Sequence, residues 1–171
     1  PVQPKEYIEI NNFYTTTIYE KGAEIIGMLA TLLGPENFRR GLRLYLQRHD
    51  GQAATIENLL AAMAEAGDRD LRQFRRWYDQ AGTPTLTIRR RWLPDQAELQ
   101  LTVEQQTPAT PGQSANLPLH LPLAVALLFP DPPTTSGPAA AERQTTAGGT
   151  RILEIRKPKE VFHFPDCPRK P

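Results

Sequence analysis

Two tyrosines and an asparagine near the start of the sequence are the side chains best suited to chemistry. Asn11 and Tyr14 belong to a run of Asn-Asn-Phe-Tyr, and Tyr19 follows where a strand-like pattern changes to a helical one. A tyrosine hydroxyl at such a position can reach into a cleft and donate a hydrogen bond to a developing oxyanion. On spacing alone, a packed ring with a satisfied hydroxyl is the more common role. Both interpretations stay open at this point.

The remaining reactive side chains do not form a known catalytic or metal-binding pattern. His49, His120 and His163 are far apart, and none belongs to an H-E-x-x-H pair. The sequence has no Gly-rich phosphate loop, no G-x-S-x-G elbow and no Cys/His metal spacing. Cys167 is the single cysteine, so an internal disulfide bond is excluded. We therefore predict no metal ligand in this chain.

The composition is that of a globular protein. Of the 171 residues, 39% are hydrophobic and 23% are charged, and the formal net charge is +1. This balance gives neither a nucleic-acid footprint nor a polybasic membrane patch. The longest apolar run, at residues 121–129, is far shorter than the roughly 20 residues of a membrane helix. We expect neither nucleic acid nor membrane as a partner, and the lack of cysteine pairs favours a reducing, cytoplasmic location.

Residues 15–81 have the apolar spacing of consecutive helices. The first helix is predicted at residues 17–33, and Gly34 suits the position just past its end. Pro35 then suits the first turn of a second helix. Because the connections are short, we expect neighbouring helices to pack antiparallel.

Two further helices are predicted before the pattern changes. Thr55 can cap a third helix, which Gly67 would end. Asp70 can cap a fourth, with Gln73 in the position that a capping box requires.

The period of the apolar residues changes to two after Gly82-Thr83-Pro84. Short strands are predicted at residues 85–88, 98–104, 119–129, 151–155 and 161–164. The Pro-, Thr-, Ala- and Gly-rich residues 130–149 are predicted to form a long, mobile loop. Short strands separated by such turns are typical of a small β-sandwich. The predicted fold class is therefore α+β, with a helical domain at residues 1–83 and a β-sandwich domain at residues 84–171.

A series of segments, taken in order, resembles one family of enzymes. Asn11-Asn12-Phe13-Tyr14 and Tyr19-Glu20-Lys21-Gly22-Ala23-Glu24 resemble the segment downstream of the zinc-binding helix in aminopeptidase N-type gluzincins, a family of zinc aminopeptidases. The similarity continues at residues 32–38, 45–51, 74–78, 82–84, 106–111 and 117–122. A run this long in one order is far more specific than any single motif, and it is most similar to the bacterial members.

The resemblance implies a role for each of the three candidate residues. The Tyr of the family's Y-E-K-G-A motif matches Tyr19, whose hydroxyl is implied to donate a hydrogen bond to the oxyanion of the tetrahedral intermediate. Tyr14 and Asn11 match positions that line the substrate cleft, and shaping the cleft wall without touching substrate is the alternative. In that family, zinc is held by the two His of H-E-x-x-H and a later Glu, and the Glu of that motif is the general base. All of them precede the segment seen here.

The same resemblance places the two halves in a larger protein. The helices would be the antiparallel end of a thermolysin-like catalytic domain, and the strands would be the small β-domain that follows it. The parent is expected to be a zinc metallo-aminopeptidase, a hydrolase that removes N-terminal amino acids from peptides. Its partners would be peptide substrates and the remainder of its own polypeptide. The chain alone is predicted to be inactive and to hold no zinc with physiological affinity.

Two alternative functions are compatible with parts of the sequence. A metal-free gluzincin-like scaffold could act as a protein interaction module, although such a scaffold has no need for the hydroxyl of Tyr19. A helical bundle with a β-sandwich binding domain explains the composition equally well. It gives no reason for the sequence around Tyr14 and Tyr19.

Overall fold

Helices occupy the first half of the chain. The computed structural model describes residues 1–3, 8–113, 116–129, 145–167 and 170–171, with the backbone alone at residues 12, 13 and 145–148. A 3₁₀ turn (Ile10–Phe13) and a π-helical turn (Thr17–Lys21) precede α1 (Gly22–His49), α2 (Ile56–Gly67) and α3 (Arg76–Asp79). Among the described residues, no helix combines the length and the apolar character that crossing a membrane requires.

The helix α1 consists of two helical segments that meet at Gly34. This residue has φ 75° and ψ 162°, a conformation that residues with a side chain rarely adopt. Pro35 follows in the first turn of the second segment, where its missing N–H has no helical partner to lose. The predicted helix end at Gly34 and the new start at Pro35 are therefore confirmed.

The helix α2 begins at a reciprocal cap between Thr55 and Asn58. The Asn58 N–H donates to Thr55 Oγ1 (3.4 Å), and the Thr55 N–H donates to Asn58 Oδ1 (2.8 Å). The predicted cap at Thr55 and the predicted end at Gly67 are both confirmed. α1 can approach α2 closely because Gly41 has no side chain: a Cβ there would lie 2.5 Å from the Met63 sulfur.

The fourth predicted helix is wrong in its extent, since α3 covers Arg76–Asp79 alone. The Asp70 carboxylate accepts a hydrogen bond from the Arg72 N–H (2.9 Å), which makes a local turn. The side-chain amide of Gln73, which a capping box would use, donates instead to two carbonyl oxygens in the second half of the chain. A long-range contact therefore replaced the local one that the spacing predicted.

Two antiparallel sheets form the second half. Their strands are β1 (Thr85–Leu93), β2 (Glu98–Gln106), β3 (Leu121–Phe129), β4 (Thr145–Ile155) and β5 (Lys159–Phe164). β2 lies between β1 and β5 in one sheet, and β3 pairs with β4 in the other. Each predicted strand is present in some form.

Four strands, β1, β2, β4 and β5, are longer than predicted, and the strand predicted at residues 119–129 begins only at Leu121. The largest extensions are those of β1 and β4. β1 continues through residues 89–93, because these pair with residues 98–102 of β2. β4 begins at Thr145, so the predicted loop at residues 130–149 is wrong for residues 145–149. Residues 130–144 lie outside the described residues. Pairing with a neighbouring strand extends both elements through sequence that lacks clear alternation.

The two sheets face each other across an apolar interior. Leu99 and Leu101 from β2 and Phe164 from β5 pack with Phe129 from β3 and Leu153 from β4. All of these side chains are buried. Two sheets with interdigitating inner faces are the arrangement of a β-sandwich, which confirms the predicted α+β fold class.

A second apolar core joins the helices to the sandwich. Ile25 and Leu29 from α1 and Phe74 from the segment before α3 cluster with Val103 of β2 and Ile155 of β4. Burying a side chain of this size stabilises the fold by roughly 1.5–3 kcal/mol. The helical half is therefore packed directly against the sandwich.

Two glutamine side chains, one from each half of the chain, bond with the backbone of residues 117–120. The Gln80 amide donates to Leu117 O (3.0 Å) and accepts from the Leu117 N–H (2.8 Å). The Gln105 amide makes the same pair of bonds with Leu119, each at 2.9 Å. We call residues 117–120 the junction segment. Two side-chain amides thus pair with its backbone much as a neighbouring strand would.

Candidate functional site

The two candidate tyrosines stack on an open surface. Tyr19 lies on the π-helical turn and is 60% exposed, and Tyr14 is 68% exposed. Their ring centroids are 6.4 Å apart with an interplanar angle of 28°. π-Helical turns are frequent at functional sites. The structure therefore brings these two residues together in a place that a ligand can reach.

Backbone hydrogen bonds centred on Thr15 shape this segment. The Tyr14 N–H donates to Asn11 O (3.1 Å), which closes the 3₁₀ turn that carries the exposed Asn11. The Tyr19 N–H donates to Thr15 O (3.1 Å), and the Ile18 N–H donates to both Thr15 O (3.0 Å) and Thr15 Oγ1 (3.3 Å). Thr15 was not among the predicted site residues. Its signal was a threonine directly before a helical turn.

A cleft of about 720 Å³ adjoins the Tyr19 turn. Its lining comes from the chain start, the turn, the first part of α1 and the end of the helical half: Pro1, Thr16, Thr17, Glu20, Lys21, Glu24, Ile25, Met28, Trp77, Ala81, Gly82 and Thr83. A concave surface with apolar walls and a few charged groups is the usual form of a ligand pocket. The candidate tyrosines therefore stand beside a surface of suitable shape.

Lys21 lines this cleft and links the Tyr19 turn to the end of the helical half. Its Nζ donates a hydrogen bond to Gln80 O (2.9 Å) and lies 6.0 Å from the centroid of the Trp77 ring. Partial burial lowers the pKa of its ammonium group. Lys21 was not predicted as a site residue, although it stands inside the run Tyr-Glu-Lys-Gly-Ala that singled out Tyr19.

Two of the histidines pair with carboxylates instead of converging on a common site. His120 Nε2 lies 3.0 Å from Glu154 Oε2, and His163 Nδ1 lies 2.8 Å from Glu98 Oε1. Cys167 is buried, which raises the pKa of its thiol. Within the described ranges, no group of three His, Cys, Asp or Glu side chains is placed to hold a metal ion. The donors described here do not fit a zinc site.

Two family models together match almost the whole chain. Residues 1–78 match the peptidase family M1 domain. Residues 82–171 match a domain of unknown function (DUF3458) with an Ig-like fold.

Two bacterial aminopeptidase N proteins are similar to this chain over much of its length. Aminopeptidase N of Escherichia coli (strain K12) is 52% identical over 127 residues, which are 74% of this chain and 15% of that protein. Aminopeptidase N of Haemophilus influenzae is 51% identical over 164 residues, which are 96% of this chain and 18% of that protein. The chain therefore spans less than a fifth of these relatives. Nothing in this set of relatives favours the metal-free interaction scaffold.

A solved structure shares the fold. The crystal structure of Legionella pneumophila aminopeptidase A in complex with aspartic acid has a TM-score of 0.75 to this chain at 21% identity. The match covers 96% of this chain and 17% of that one. The match to the family M1 domain and the aminopeptidase N relatives confirm the resemblance that the motifs around Asn11, Tyr14 and Tyr19 suggested. This chain belongs to peptidase family M1 through residues 1–78, and it carries the Ig-like DUF3458 domain in residues 82–171.

Proposed function

We propose that this chain is part of a zinc-dependent aminopeptidase that hydrolyses N-terminal amino acids from peptides, and that Tyr19 is one of its catalytic residues. The observation that carries the proposal is the position of Tyr19. The tyrosine that matches the family motif stands exposed on a π-helical turn beside a cleft. The aminopeptidase N relatives support the same reaction class.

The chemistry of Tyr19 is hydrogen-bond donation to developing charge. When the scissile carbonyl is attacked, its oxygen becomes an oxyanion, and the phenol O–H donates to that oxygen. The donor is worth more in the transition state than in the ground state, because charge accumulates only as the reaction proceeds. Stacking against Tyr14 restricts the ring and so reduces the reorganisation needed.

Tyr14 and Asn11 are proposed to line the substrate cleft. Both are exposed and lie on the segment that leads into the Tyr19 turn. Tyr14 offers a ring face and a hydroxyl, and Asn11 offers an amide that both donates and accepts. Contact with the first residues of a peptide would make them binding residues, so their loss should raise KM more than it lowers kcat.

Zinc and the general base are proposed to come from residues outside this chain. The zinc dependence rests on the M1 family assignment, since the donors described here do not fit a metal site. The chain by itself is therefore proposed to be inactive, with peptide substrates and the rest of its own polypeptide as its partners.

The two halves are proposed to be separate domains, residues 1–83 and 84–171. The first would be the C-terminal helical part of the catalytic domain. β1 begins at Thr85, which supports a boundary just before it. We also propose a cytoplasmic location, supported by the single cysteine, which precludes an internal disulfide bond. Fractionation of cells that produce the parent protein tests the location, and recovery outside the cytoplasm would refute it.

The test of the proposed function is Tyr19→Phe in the full-length parent enzyme. The change removes one hydroxyl and keeps the ring that stacks on Tyr14. Turnover of an aminoacyl substrate should fall by roughly 100- to 1000-fold, with zinc content and melting temperature unchanged. Tyr45→Phe at the other end of α1 is the matched control and should leave turnover intact. Near-normal turnover of Tyr19→Phe would sink the assignment.

A further inference from the structure

Lys21 ties the Tyr19 turn to the end of the helical half. It is the last residue of the π-helical turn, and its Nζ donates to Gln80 O, 59 positions later in sequence. The same ammonium group lies near the face of the Trp77 ring, 6.0 Å from its centroid. At that distance, a cation and an aromatic ring attract each other. Lys21, two residues after Tyr19, is therefore held by residues that are distant from it in sequence.

Both anchors of Lys21 are held in turn by the junction segment (residues 117–120). The indole N–H of the buried Trp77 donates to His120 O (2.8 Å). Gln80 exchanges two hydrogen bonds with the backbone of Leu117. Trp77 and Gln80 belong to the packed contact between the helices and the sandwich, so this packing restricts their positions.

The surroundings of Lys21 differ from those of an ordinary surface lysine. Partial burial of its side chain lowers the pKa of the ammonium group. Lys159, by contrast, pairs with the Glu104 carboxylate on an exposed strand face. An exposed pair of that kind contributes little to stability, because water and salt screen it. The Lys21 ammonium group loses part of its hydration and contacts Gln80 O and the Trp77 ring instead. These contacts restrict the position of its side chain.

We propose that Lys21 is a positioning residue for Tyr19. It holds the π-helical turn so that the phenol O–H meets the oxyanion. The inference rests on the proposed function, because Lys21 can act as a positioning residue only if Tyr19 is catalytic. Tyr19 is exposed, and the bonds of its own backbone to Thr15 are local. The placement of its hydroxyl relative to a reacting carbonyl therefore depends on how the turn is anchored.

The first test is Lys21→Met in the full-length parent enzyme. Methionine keeps an unbranched apolar stem and removes the donor and the charge. A small displacement of a catalytic donor can be costly, so kcat should fall roughly 10- to 100-fold while KM stays within about twofold. Lys21→Arg keeps a cationic donor and should recover most of kcat. Lys159→Met is the matched control and should leave both constants unchanged.

The second test asks whether Lys21 acts through Tyr19. When Lys21→Met is introduced into the Tyr19→Phe enzyme, the further loss should be less than about threefold, because residues that act as a unit are not additive. The same fold loss in both backgrounds would mean that Lys21 works independently of the hydroxyl, and this would overturn the inference. So would normal kcat in Lys21→Met alone.

Two precautions keep the outcomes distinct. If Lys21→Met fails to fold, as judged by zinc content and melting temperature, Lys21→Gln replaces it under the same criteria. Glutamine removes the charge, and its amide ends one bond short of the position from which the lysine Nζ bonds with Gln80 O. If Tyr19→Phe turns over normally, the proposed function itself fails. If Tyr19→Phe is impaired and Lys21→Met is not, only the role of Lys21 fails.

Discussion

The Tyr19 turn and the junction between the halves meet opposite physical demands. The turn exposes two aromatic rings and a nearby amide, as the proposed contact with a substrate requires. The junction buries backbone polar groups and pairs them with side-chain amides, as the Gln105 amide does for both backbone groups of Leu119, although His120 Nδ1 is buried there without a hydrogen-bond partner among the described residues. A buried polar group without a partner costs about 1–3 kcal/mol, whereas an exposed hydroxyl is paired by water.

This contrast indicates how the two regions depend on each other. An exposed turn has little packing of its own, so the precision of Tyr19 must come from anchors elsewhere. Lys21 supplies such a link to Trp77 and Gln80. We therefore expect changes at the junction to appear in stability, and changes on the turn to appear in turnover. The following experiments test that separation, beginning with the largest expected effect.

Phe74→Ala should have the largest effect, and it should be on stability. Phe74 is fully buried in the core shared by both halves and meets the His120 ring edge-on at 6.0 Å. Removing a buried phenylalanine ring costs about 3–5 kcal/mol. Hydrogen exchange of the junction segment in the parent protein measures the loss. Val161→Ala, on an exposed strand face, is the control, and equal losses in the two variants would contradict this placement of the core.

Tyr19→Phe should show the reverse pattern. Loss of one oxyanion donor lowers turnover by roughly 100- to 1000-fold, while hydrogen exchange at the junction should remain at its original rate. Steady-state kinetics and hydrogen exchange on the same sample check both halves of the expectation. Faster exchange at the junction would show that the two regions are not separable.

Gln105→Leu should have an intermediate effect on stability. The substitution removes the partners of Leu119 N–H and Leu119 O, and a third bond to Lys157 O. Leaving such buried groups unpaired costs about 1–3 kcal/mol. Gln100→Leu on the opposite face of β2 is the control, since its amide bonds only with Glu98 in this part of the structure. Similar exchange rates in both variants would indicate that the glutamine contacts contribute little.

The smallest expected signal is zinc binding by the chain alone. The donors described here do not form a metal site, so the purified chain should bind no stoichiometric zinc and release no amino acid from a peptide. Metal analysis after dialysis against micromolar zinc, together with an activity assay, checks both. One zinc per chain would place a metal site within this sequence.

Local signals in the sequence predicted most of the elements. Gly34 and Pro35 mark a helix break because glycine permits a positive φ and proline fixes the φ of a first helical turn. Thr55 caps α2 through a partner only three residues away. The change of period after Gly82-Thr83-Pro84 separated helices from strands. These features could be predicted because their causes lie within a few residues of each other.

Other features could not be predicted, because their causes lie far away in sequence. Gln73 suited a capping box by position, yet its amide bonds with Pro118 O and Arg156 O. β4 reaches back to Thr145 because β3 offers a strand to pair with. Local spacing in the sequence cannot predict either contact, because the partners lie many residues away.

The candidate site also combines features with local causes and features that depend on distant residues. The sequence by itself determined that Asn11, Tyr14 and Tyr19 lie close together around the start of a helix, and its motif identified Tyr19. Only the tertiary structure decided that the two rings stack, that a cleft adjoins them and that Lys21 spans to Gln80. The physical reason is that residue type and spacing set what a side chain can do, whereas its partners are chosen when distant segments pack.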